Sequence, residues 1–408
     1  MNEYISVEEA RKRMLESITV MDWENVPLID SSGRILFNDI ISSVDIPPFN
    51  NSAMDGYAVR CVDVAEAASD HHVAIPVIDE IKAGDNPQWA LKEKTAIRIM
   101  TGAPIPANCD AVIPVEYTDE QDGVVRIYRA VKLHENIRCS GEDISIGQKV
   151  LRKGDRIRSA DAGLLASLNI GEVPVYKQPR VAIISTGDEI VDVGESMPAG
   201  KIRNSNSYTL YSEVKKYNAL PSYLGVVRDD PAETKKKLEE AFQFDIVLTT
   251  GGVSMGKYDY VKDALLDSNV VLKTVKIRMK PGKPLIFGVK GSTLFFGLPG
   301  NPVSTLITFI MFVRPVILRM MGATSVDKPI VMAYLSVNLM LKTDRTHFIR
   351  GFYTISGDRF YVNTTGPQGS GILRSMSEAN CLIIIPEGAG RIECGDMVSI
   401  MLINHEEI

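Results

Sequence analysis

The stretch IVLTTGGVSMGKYDY, residues 246–260, decides how the rest of the chain is read. The apolar run Ile246 to Leu248 enters it as a strand, and a helical pattern leaves it from Tyr258 to Leu266. A strand, a glycine loop and a helix together turn backbone N–H groups outward beside the positive end of a helix dipole, which suits an anion such as phosphate. Gly251 to Lys257 fill the first seven positions of the phosphate-loop pattern G-x-x-x-x-G-K-[ST], but the eighth is Tyr258. That position needs a small hydroxyl beside magnesium, and a phenol does not fit there without moving the backbone. The loop therefore reads as an anion loop of another kind, with a nucleotide hydrolase as the competing reading.

On both sides of this loop strands and helices alternate. Val181 to Ser185, Tyr223 to Val227, Val271 to Ile277, Leu285 to Val289 and Thr293 to Phe296 read as strands. Ser207 to Tyr217, Pro231 to Phe242 and Pro302 to Met321 read as helices, the second started by Asp230, Pro231 and Glu233. The alternation predicts a mostly parallel, doubly wound sheet covered on both faces. Flanking it are two β regions. Short runs such as Val73 to Ile78, Ala96 to Met100, Ala111 to Val115 and Val124 to Val131 lie between turn formers. After Gly322 come Val331 to Val337, Phe348 to Ile355, Phe360 to Asn363, Leu382 to Ile385 and Met397 to Leu402, which read as a small barrel. Helical patterns return at the start, with Ser6 as N-cap, and around Glu142 to Ile170.

At 408 residues the chain exceeds a single core, and about 150 residues per domain points to several domains. A net charge of −6 argues against nucleic acid or an anionic membrane as the main partner. The five cysteines are odd in number and form no C-x-x-C pair, so a reduced, cytoplasmic protein is expected. The charged start MNEYISVEEARKRML does not read as a signal peptide. Val303 to Met321 is interrupted by Arg314 and Pro315 and reads as a buried helix rather than a membrane span. The five histidines and the cysteines form no catalytic set at a recognisable spacing, so no protein nucleophile is indicated.

In an open parallel sheet ligands bind beyond the carboxyl ends of the strands. Three loops leave such ends: Ser185-Thr186-Gly187-Asp188-Glu189, the Gly251 loop, and Gly297-Leu298-Pro299-Gly300-Asn301-Pro302. Asp229, Asp230 and Asp259 belong to the same rim, and acidic groups beside phosphate loops suit magnesium. Asp230 also reads as a helix N-cap and Asp188 as a turn residue, whereas Glu189 and Asp259 have no such local explanation. The turn Met279-Lys280-Pro281-Gly282-Lys283-Pro284 presents two lysines, suited to a small oxyanion or simply to solvent, with Arg278 and Arg203 as further cations. The clusters from Asn50 to Tyr57 and from Met100 to Pro104 read, on composition alone, as turns.

Nine segments in order resemble the molybdopterin molybdotransferases, the family of bacterial MoeA and the gephyrin E domain. They are PPFNNSAMDGYAVR (47–60), IMTGAP (99–104), GEDI (141–144), STGDE (185–189), KIRNSNSY (201–208), TTGGVSMGKYDY (249–260), MKPGKP (279–284), GLPGNPVS (297–304) and GSGILRSMSEAN (369–380). The resemblance implies insertion of molybdate into the dithiolene of adenylylated molybdopterin, with release of AMP and help from magnesium. By position, Glu189, Asp229 and Asp259 correspond to the acidic metal-binding and catalytic residues, and Lys280 and Lys283 to molybdate contacts. Asp55 and Thr101, with Arg138 and Asp143, correspond to residues supplied across a homodimer interface, so the turn clusters become site residues. Gly187, Asn204, Ser205, Gly251, Gly252, Ser254, Pro299, Gly300, Asn301 and Pro302 correspond to the pterin-nucleotide site. Lys257 departs from the family, in which an acidic residue is common at that place.

The implied organisation is a discontinuous linker and dimerisation domain (1–45 plus 140–177), an inserted β domain (46–139), a central doubly wound α/β domain that binds molybdopterin (178–326) and a carboxy-terminal β-barrel (327–408). Contact with the molybdopterin adenylyltransferase and with later proteins of the cofactor pathway is also implied. The alternatives are the adenylyltransferase itself, whose single domain resembles residues 178–325, and a gephyrin-like scaffold. Gephyrin carries a further domain and a long linker ahead of this region.

Overall fold

The alternating apolar runs form a six-stranded sheet in the computed structural model, which describes residues 4–87, 90–252, 260–342 and 344–403. Its strands are β1 (Arg180–Thr186), β2 (Leu220–Val227), β3 (Ile246–Thr250), β4 (Val271–Lys276), β5 (Pro284–Lys290) and β6 (Thr293–Leu298). Their order is β2-β1-β3-β6-β5-β4. The first four are parallel and the last two join antiparallel. Helices α1 (Asn206–Lys216), α2 (Pro231–Ala241), α3 (Tyr260–Asp267) and α4 (Pro302–Met320) cover both faces.

Strand periodicity sorts the core into two layers. Ile183, Leu248 and Phe296 stand in register and pack with Leu210 and Val214 of α1 and Val303 of α4. Their neighbours Ala182, Val247 and Phe295 point the other way, to Leu238 of α2 and Leu265 of α3. Each such large side chain contributes about 1.5–3 kcal/mol by leaving water. With both faces buried, the strand ends are where polar groups meet a ligand.

The long helix α4 is 89% buried and is a core element. Pro315 does not break it. Phe309–Val313 widen into a π-turn just before the proline, which relieves the clash between its ring and the preceding turn and the loss of its N–H.

In the amino-terminal part, Trp23–Pro27 pair antiparallel with Glu172–Tyr176, so the segment before the inserted β region rejoins the segment after it. Between them lies a six-stranded sheet built from Ala111–Pro114, Gly56–Val59, Ala96–Ile99, Val73–Ile81, Val124–Ile127 and Thr118–Gln121, in that order. The helical pattern expected around Glu142 to Ile170 holds only for Ser159–Ser167. Ahead of it come Lys149–Leu151 as a strand and turns at Gly147 and Gly154, whose positive φ values of 82° and 86° are incompatible with a helix interior. Ser6 does cap Val7–Leu15, accepting from the Glu9 N–H at 3.1 Å.

The carboxy-terminal strands close into a barrel. Thr346–Ser356 pair with both Arg359–Thr364 and Cys381–Ile385, and Ile330–Leu335 and Met397–Leu402 complete the ring. Met279–Lys280 add to Thr346–His347, which ties the lysine turn to the barrel.

Candidate functional site

The carboxyl ends of β1, β3 and β6 open on one cleft of about 370 Å³. Thr186, Glu189, Asn206, Thr250, Gly251, Gly252, Pro299, Gly300 and Asn301 line it. All three expected loops meet there because their strands are adjacent in the sheet.

Gly251 shows why the loop needs glycine. Its φ is +88°, and a Cβ there would lie 2.7 Å from the Thr186 carbonyl oxygen. Its N–H donates to the Leu298 carbonyl at 3.2 Å, so its part is close approach of two strands rather than anion binding through its own amide. The amides of Gly252, Gly300 and Asn301 have no hydrogen-bond partner among the described residues. Three unpartnered N–H groups on two loops of one cleft are a set of donors for an anion. The third loop is fixed from both sides: Asn206 Nδ2 donates to the Gly300 carbonyl at 2.8 Å, and the Thr305 hydroxyl donates to the Pro299 carbonyl at 2.5 Å. Pro302 stands at the first turn of α4, as expected.

On the acidic rim, the Glu189 carboxylate folds over Gly187, where its Oε2 lies 2.5 Å from where a Cβ would be. Asp188 and Asp229 hold each other's loops, Asp188 N–H donating to Asp229 Oδ2 at 3.5 Å and Asp229 N–H to Asp188 Oδ1 at 3.3 Å. Asp230 is the N-cap of α2, accepting from the Glu233 N–H at 2.7 Å. Ser254, Lys257, Tyr258 and Asp259 lie outside the described residues. Magnesium takes oxygen ligands and keeps several waters, and the exposed carboxylates of Glu189 and Asp229 fit that chemistry. No group of three or more acidic, histidine or cysteine side chains encloses a metal among the described residues.

Beneath the cleft runs a buried polar network that the sequence reading touched only at Asn204 and at the loop residues. The Ser185 hydroxyl donates to Asn204 Oδ1 at 2.9 Å and lies 2.7 Å from Ser207 Oγ and 3.1 Å from Thr250 Oγ1. Asn204 Nδ2 donates to the Tyr223 oxygen at 2.8 Å, and Tyr223 donates to Asp192 Oδ2 at 2.6 Å. Ser205 precedes α1 as its cap position, and its carbonyl accepts from the Thr209 hydroxyl. Burial pushes the Tyr223 hydroxyl pKa up, and Asp192 pushes it further.

The two lysines face away from one another's partners. Lys280 is exposed on the short strand against the barrel, while the Lys283 ammonium lies 5.0 Å above the Tyr4 ring in a separate recess with Arg278 and Arg345. A hydrogen bond from Lys283 is the main cause that lowers the Tyr4 pKa. Arg203 donates to the Asp192 carbonyl at 2.6 Å.

Asp55 and Thr101 come together on the inserted β region, and Arg138 lies on the short strand pairing that precedes them. Gly56 pairs with Ile99, which places Asp55 against Thr101, and Arg138 pairs with Asn51. Asp55 Oδ1 accepts from the Thr101 N–H at 2.7 Å and from its hydroxyl at 2.8 Å, and these bonds hold its pKa below the ordinary value. The Asp143 N–H donates to the Ile46 carbonyl at 3.0 Å, on the strand-like connection beside this cluster. No hydrogen bond or strand pairing joins the cluster to the central cleft among the described residues.

Comparison with known proteins assigns the parts of the chain to three matched regions. Residues 5–169 match the MoeA N-terminal region (domain I and II), residues 182–319 a probable molybdopterin binding domain, and residues 332–403 the MoeA C-terminal region (domain IV). A molybdopterin molybdenumtransferase of Haemophilus influenzae is 38% identical over 406 residues, covering 98% of this chain and 99% of the relative. The chain belongs to the MoeA family. Molybdopterin molybdenumtransferase 2 of Mycobacterium tuberculosis is 35% identical, with 97% and 98% of the two chains covered. The crystal structure of the molybdopterin biosynthesis moeA protein from Pyrococcus horikoshii OT3 superimposes with a TM-score of 0.85 at 33% identity, over 98% of this chain and 100% of the other.

Within this MoeA chain the carboxy-terminal region also reaches the start of α4, next to the third loop of the cleft. The Val303 N–H, at the start of α4, donates to the Ser370 carbonyl at 3.1 Å. The loop carrying Ser370 is organised by Arg350, 1% exposed, whose guanidinium donates to the carbonyls of Pro367, Gln368 and Gly369 and to the Ser375 hydroxyl. The sequence signal was an arginine inside the apolar strand HFIRGFY, a residue type that is rarely buried without a role.

Proposed function

We propose that the central cleft receives adenylylated molybdopterin and that this chain, in molybdenum cofactor biosynthesis, transfers molybdenum from molybdate into the dithiolene with release of AMP. Membership of a family of molybdopterin molybdenumtransferases over almost the whole chain supports the transferase assignment. The observation that carries the site assignment is the set of unpartnered amides of Gly252, Gly300 and Asn301 around a cleft at the strand ends, a ready cradle for the pyrophosphate. The inserted β domain and the barrel are parts that a single-domain adenylyltransferase lacks.

In this reading Glu189, Asp229 and Asp259 hold magnesium, which when bound neutralises charge on the phosphates. Gly187 and Gly251 let neighbouring loops approach, Asn204 and Ser205 position the start of α1, Ser254 serves the anion with Gly251 and Gly252, and Pro302 opens α4 after the third loop. Lys280 and Lys283 concentrate the molybdate dianion, Lys283 within a recess already rich in cations. Asp55, Thr101, Arg138 and Asp143 complete the site from the partner chain of a homodimer in the cytoplasm. The separation of their cluster from the cleft within one chain supports that arrangement. The domain limits are taken to be 1–45 plus 140–177, 46–139, 178–326 and 327–408, and the adenylyltransferase and later cofactor-pathway proteins are the expected docking partners.

The test mixes purified protein with adenylylated molybdopterin, magnesium and molybdate and follows AMP. Release should require both ions and should slow by roughly a hundredfold in Asp259→Ala with the fold intact. AMP release at the parent rate by Asp259→Ala removes the metal assignment, and release independent of molybdate and magnesium removes the mechanism.

A further inference from the structure

The polar network under the cleft has a direction that can be worked out atom by atom. The Ser207 backbone N–H can only donate, and it meets Asn204 Oδ1 at 3.2 Å, so that atom is the carbonyl oxygen of the amide. Ser185 must then donate its one proton to Asn204. With that proton spent, the Ser185 oxygen can only accept from its other two neighbours, so both Ser207 and Thr250 donate to it. At the far end, Asn204 Nδ2 donates to Tyr223, whose own proton goes to the Asp192 carboxylate. Asp192 is anchored as well, accepting from Tyr208 at 3.0 Å and from the Val193 N–H at 2.9 Å. Burial works against its charge, but these donors more than offset that, and its pKa lies below the ordinary aspartate value.

The outcome reaches the cleft at Thr250, which lines it and directly precedes the glycine pair. Its proton is used inside the protein, so its Oγ1 is left with lone pairs alone. Thr186, also on the cleft, spends its proton on the Thr250 carbonyl at 3.3 Å. The loops therefore offer N–H donors and the strand ends offer hydroxyl acceptors.

We propose that Thr250, with its polarity set through Ser185 and Asn204 by the Ser207 N–H, is a specificity residue that accepts a hydrogen bond from an O–H or N–H donor of the pterin nucleotide, and that Asp192, which holds Asn204 in place through Tyr223, is a positioning residue. The inference rests on the reading of the cleft as the pterin-nucleotide site. It separates the two halves of recognition: phosphate oxygens go to the loop amides, and a neutral donor goes to the ends of the strands. Such a floor repels a phosphate oxygen and so fixes the ligand's orientation. Without the Asp192 charge the Tyr223 hydroxyl is no longer anchored, and Asn204 loses the support that places its amide under Ser185.

The test uses the full chain and initial rates of AMP release. Thr250→Val removes the acceptor at nearly equal volume and should raise KM for adenylylated molybdopterin by about 3- to 10-fold, the value of one neutral hydrogen bond, with the loss falling on KM rather than kcat. Thr250→Ser keeps the hydroxyl and should bring KM back to within about twofold of the parent. Asp192→Ala should raise KM in the same sense although it lies away from the ligand. Inhibition by AMP and by 2′-deoxy-AMP locates the donor. If the ribose hydroxyl is the partner, 2′-deoxy-AMP binds the parent more weakly than AMP does, and Thr250→Val abolishes the difference. If the pterin supplies it, KM rises while both inhibition constants stay put. Unchanged KM in Thr250→Val and Asp192→Ala, with the parent active, overturns this inference alone. Absence of turnover by the parent removes the cleft reading and this inference with it. Should Thr250→Val fail to fold, Tyr223→Phe breaks the same chain at a half-buried position and is judged by the same KM.

Discussion

In the central cleft the candidate site groups stand at the ends of buried parallel strands, whereas around Asp55 they stand on turns at the ends of two antiparallel strands of the inserted sheet. The first region is closed from below by a hydroxyl network and two hydrophobic layers. The second exposes both Asp55 and Thr101, held in place by bonds between them. One region has depth and amide donors; the other has an oriented carboxylate and an arginine, with no hydrogen bond or strand pairing to the central cleft among the described residues. The difference teaches that a turn can fix a side chain on an open surface, while a strand end builds its own enclosure.

The largest expected effect tests that contrast directly. Homodimers of Asp55→Ala and of Glu189→Ala should each lose nearly all AMP release. A mixed dimer of the two should regain about half of the parent's activity, because one of its two sites then draws every residue from intact positions. A site complete within one chain predicts no recovery at all, since each chain of the mixture carries a lesion. Recovery on mixing is therefore the measurement on which the homodimer reading stands or falls.

Within the cleft, close approach should matter more than side-chain chemistry at Gly251. Gly251→Ala forces a Cβ to 2.7 Å from the Thr186 carbonyl oxygen at φ +88°, and it should destabilise the protein by about 1–3 kcal/mol or more. A Cβ at Gly300 would come only to 3.7 Å from Gly251 Cα, an ordinary contact, so Gly300→Ala should leave the melting temperature near the parent's. Equal melting temperatures for the two variants would falsify the packing argument.

At the turn cluster the expected effect is on pH dependence. The Thr101 N–H, then its hydroxyl, lower the Asp55 pKa against a smaller effect of burial. A depressed carboxylate stays charged to lower pH, so activity that needs its charge is lost only as pH falls through that lowered value. Thr101→Val keeps the N–H and deletes the hydroxyl bond, so the acid limb of the pH–rate profile should move to higher pH. An unmoved limb means that Asp55 is not the group titrating there.

Much of this was legible in the sequence, for reasons that differ by element. The alternation from Val181 to Met321 carried the central sheet and hence the meeting of three loops, since adjacency of parallel strands follows from short crossovers. The caps at Ser6 and Asp230 were legible because a side-chain oxygen three residues before an N–H is a purely local matter. The polarity of Thr250 was not, because Ser185, Asn204 and Ser207 are far from Thr250 in the sequence and meet it only in the fold. Nor was the π-turn of α4: Pro315 looked like an interruption, and nothing local to Phe309–Val313 in the sequence marks the wider turn that admits it. Residues 142–158 misled through helical spacing of apolar positions, while the glycines at 147 and 154 set the backbone. Composition alone showed Asp55 as a turn residue, and only the resemblance of PPFNNSAMDGYAVR to a known family raised it to a site residue.

The smallest effect separates two adjacent aspartates on one rim. Asp230 Oδ1 accepts from the Glu233 N–H at 2.7 Å and so satisfies one of the open amides of α2, whereas Asp229 Oδ2 is directed to the Asp188 N–H on the neighbouring loop. Loss of an N-cap costs about 1 kcal/mol, so Asp230→Ala should lower the melting temperature by a few degrees and leave the kinetic constants for AMP release as they are. Asp229→Ala removes a group assigned to magnesium and should instead raise the magnesium concentration needed for half-maximal rate, with a smaller change in melting temperature. Crossed results, a magnesium dependence shifted by Asp230→Ala and a stability loss confined to Asp229→Ala, would exchange the two roles, against the positive end of the α2 dipole, which favours an anion over a cation at that position.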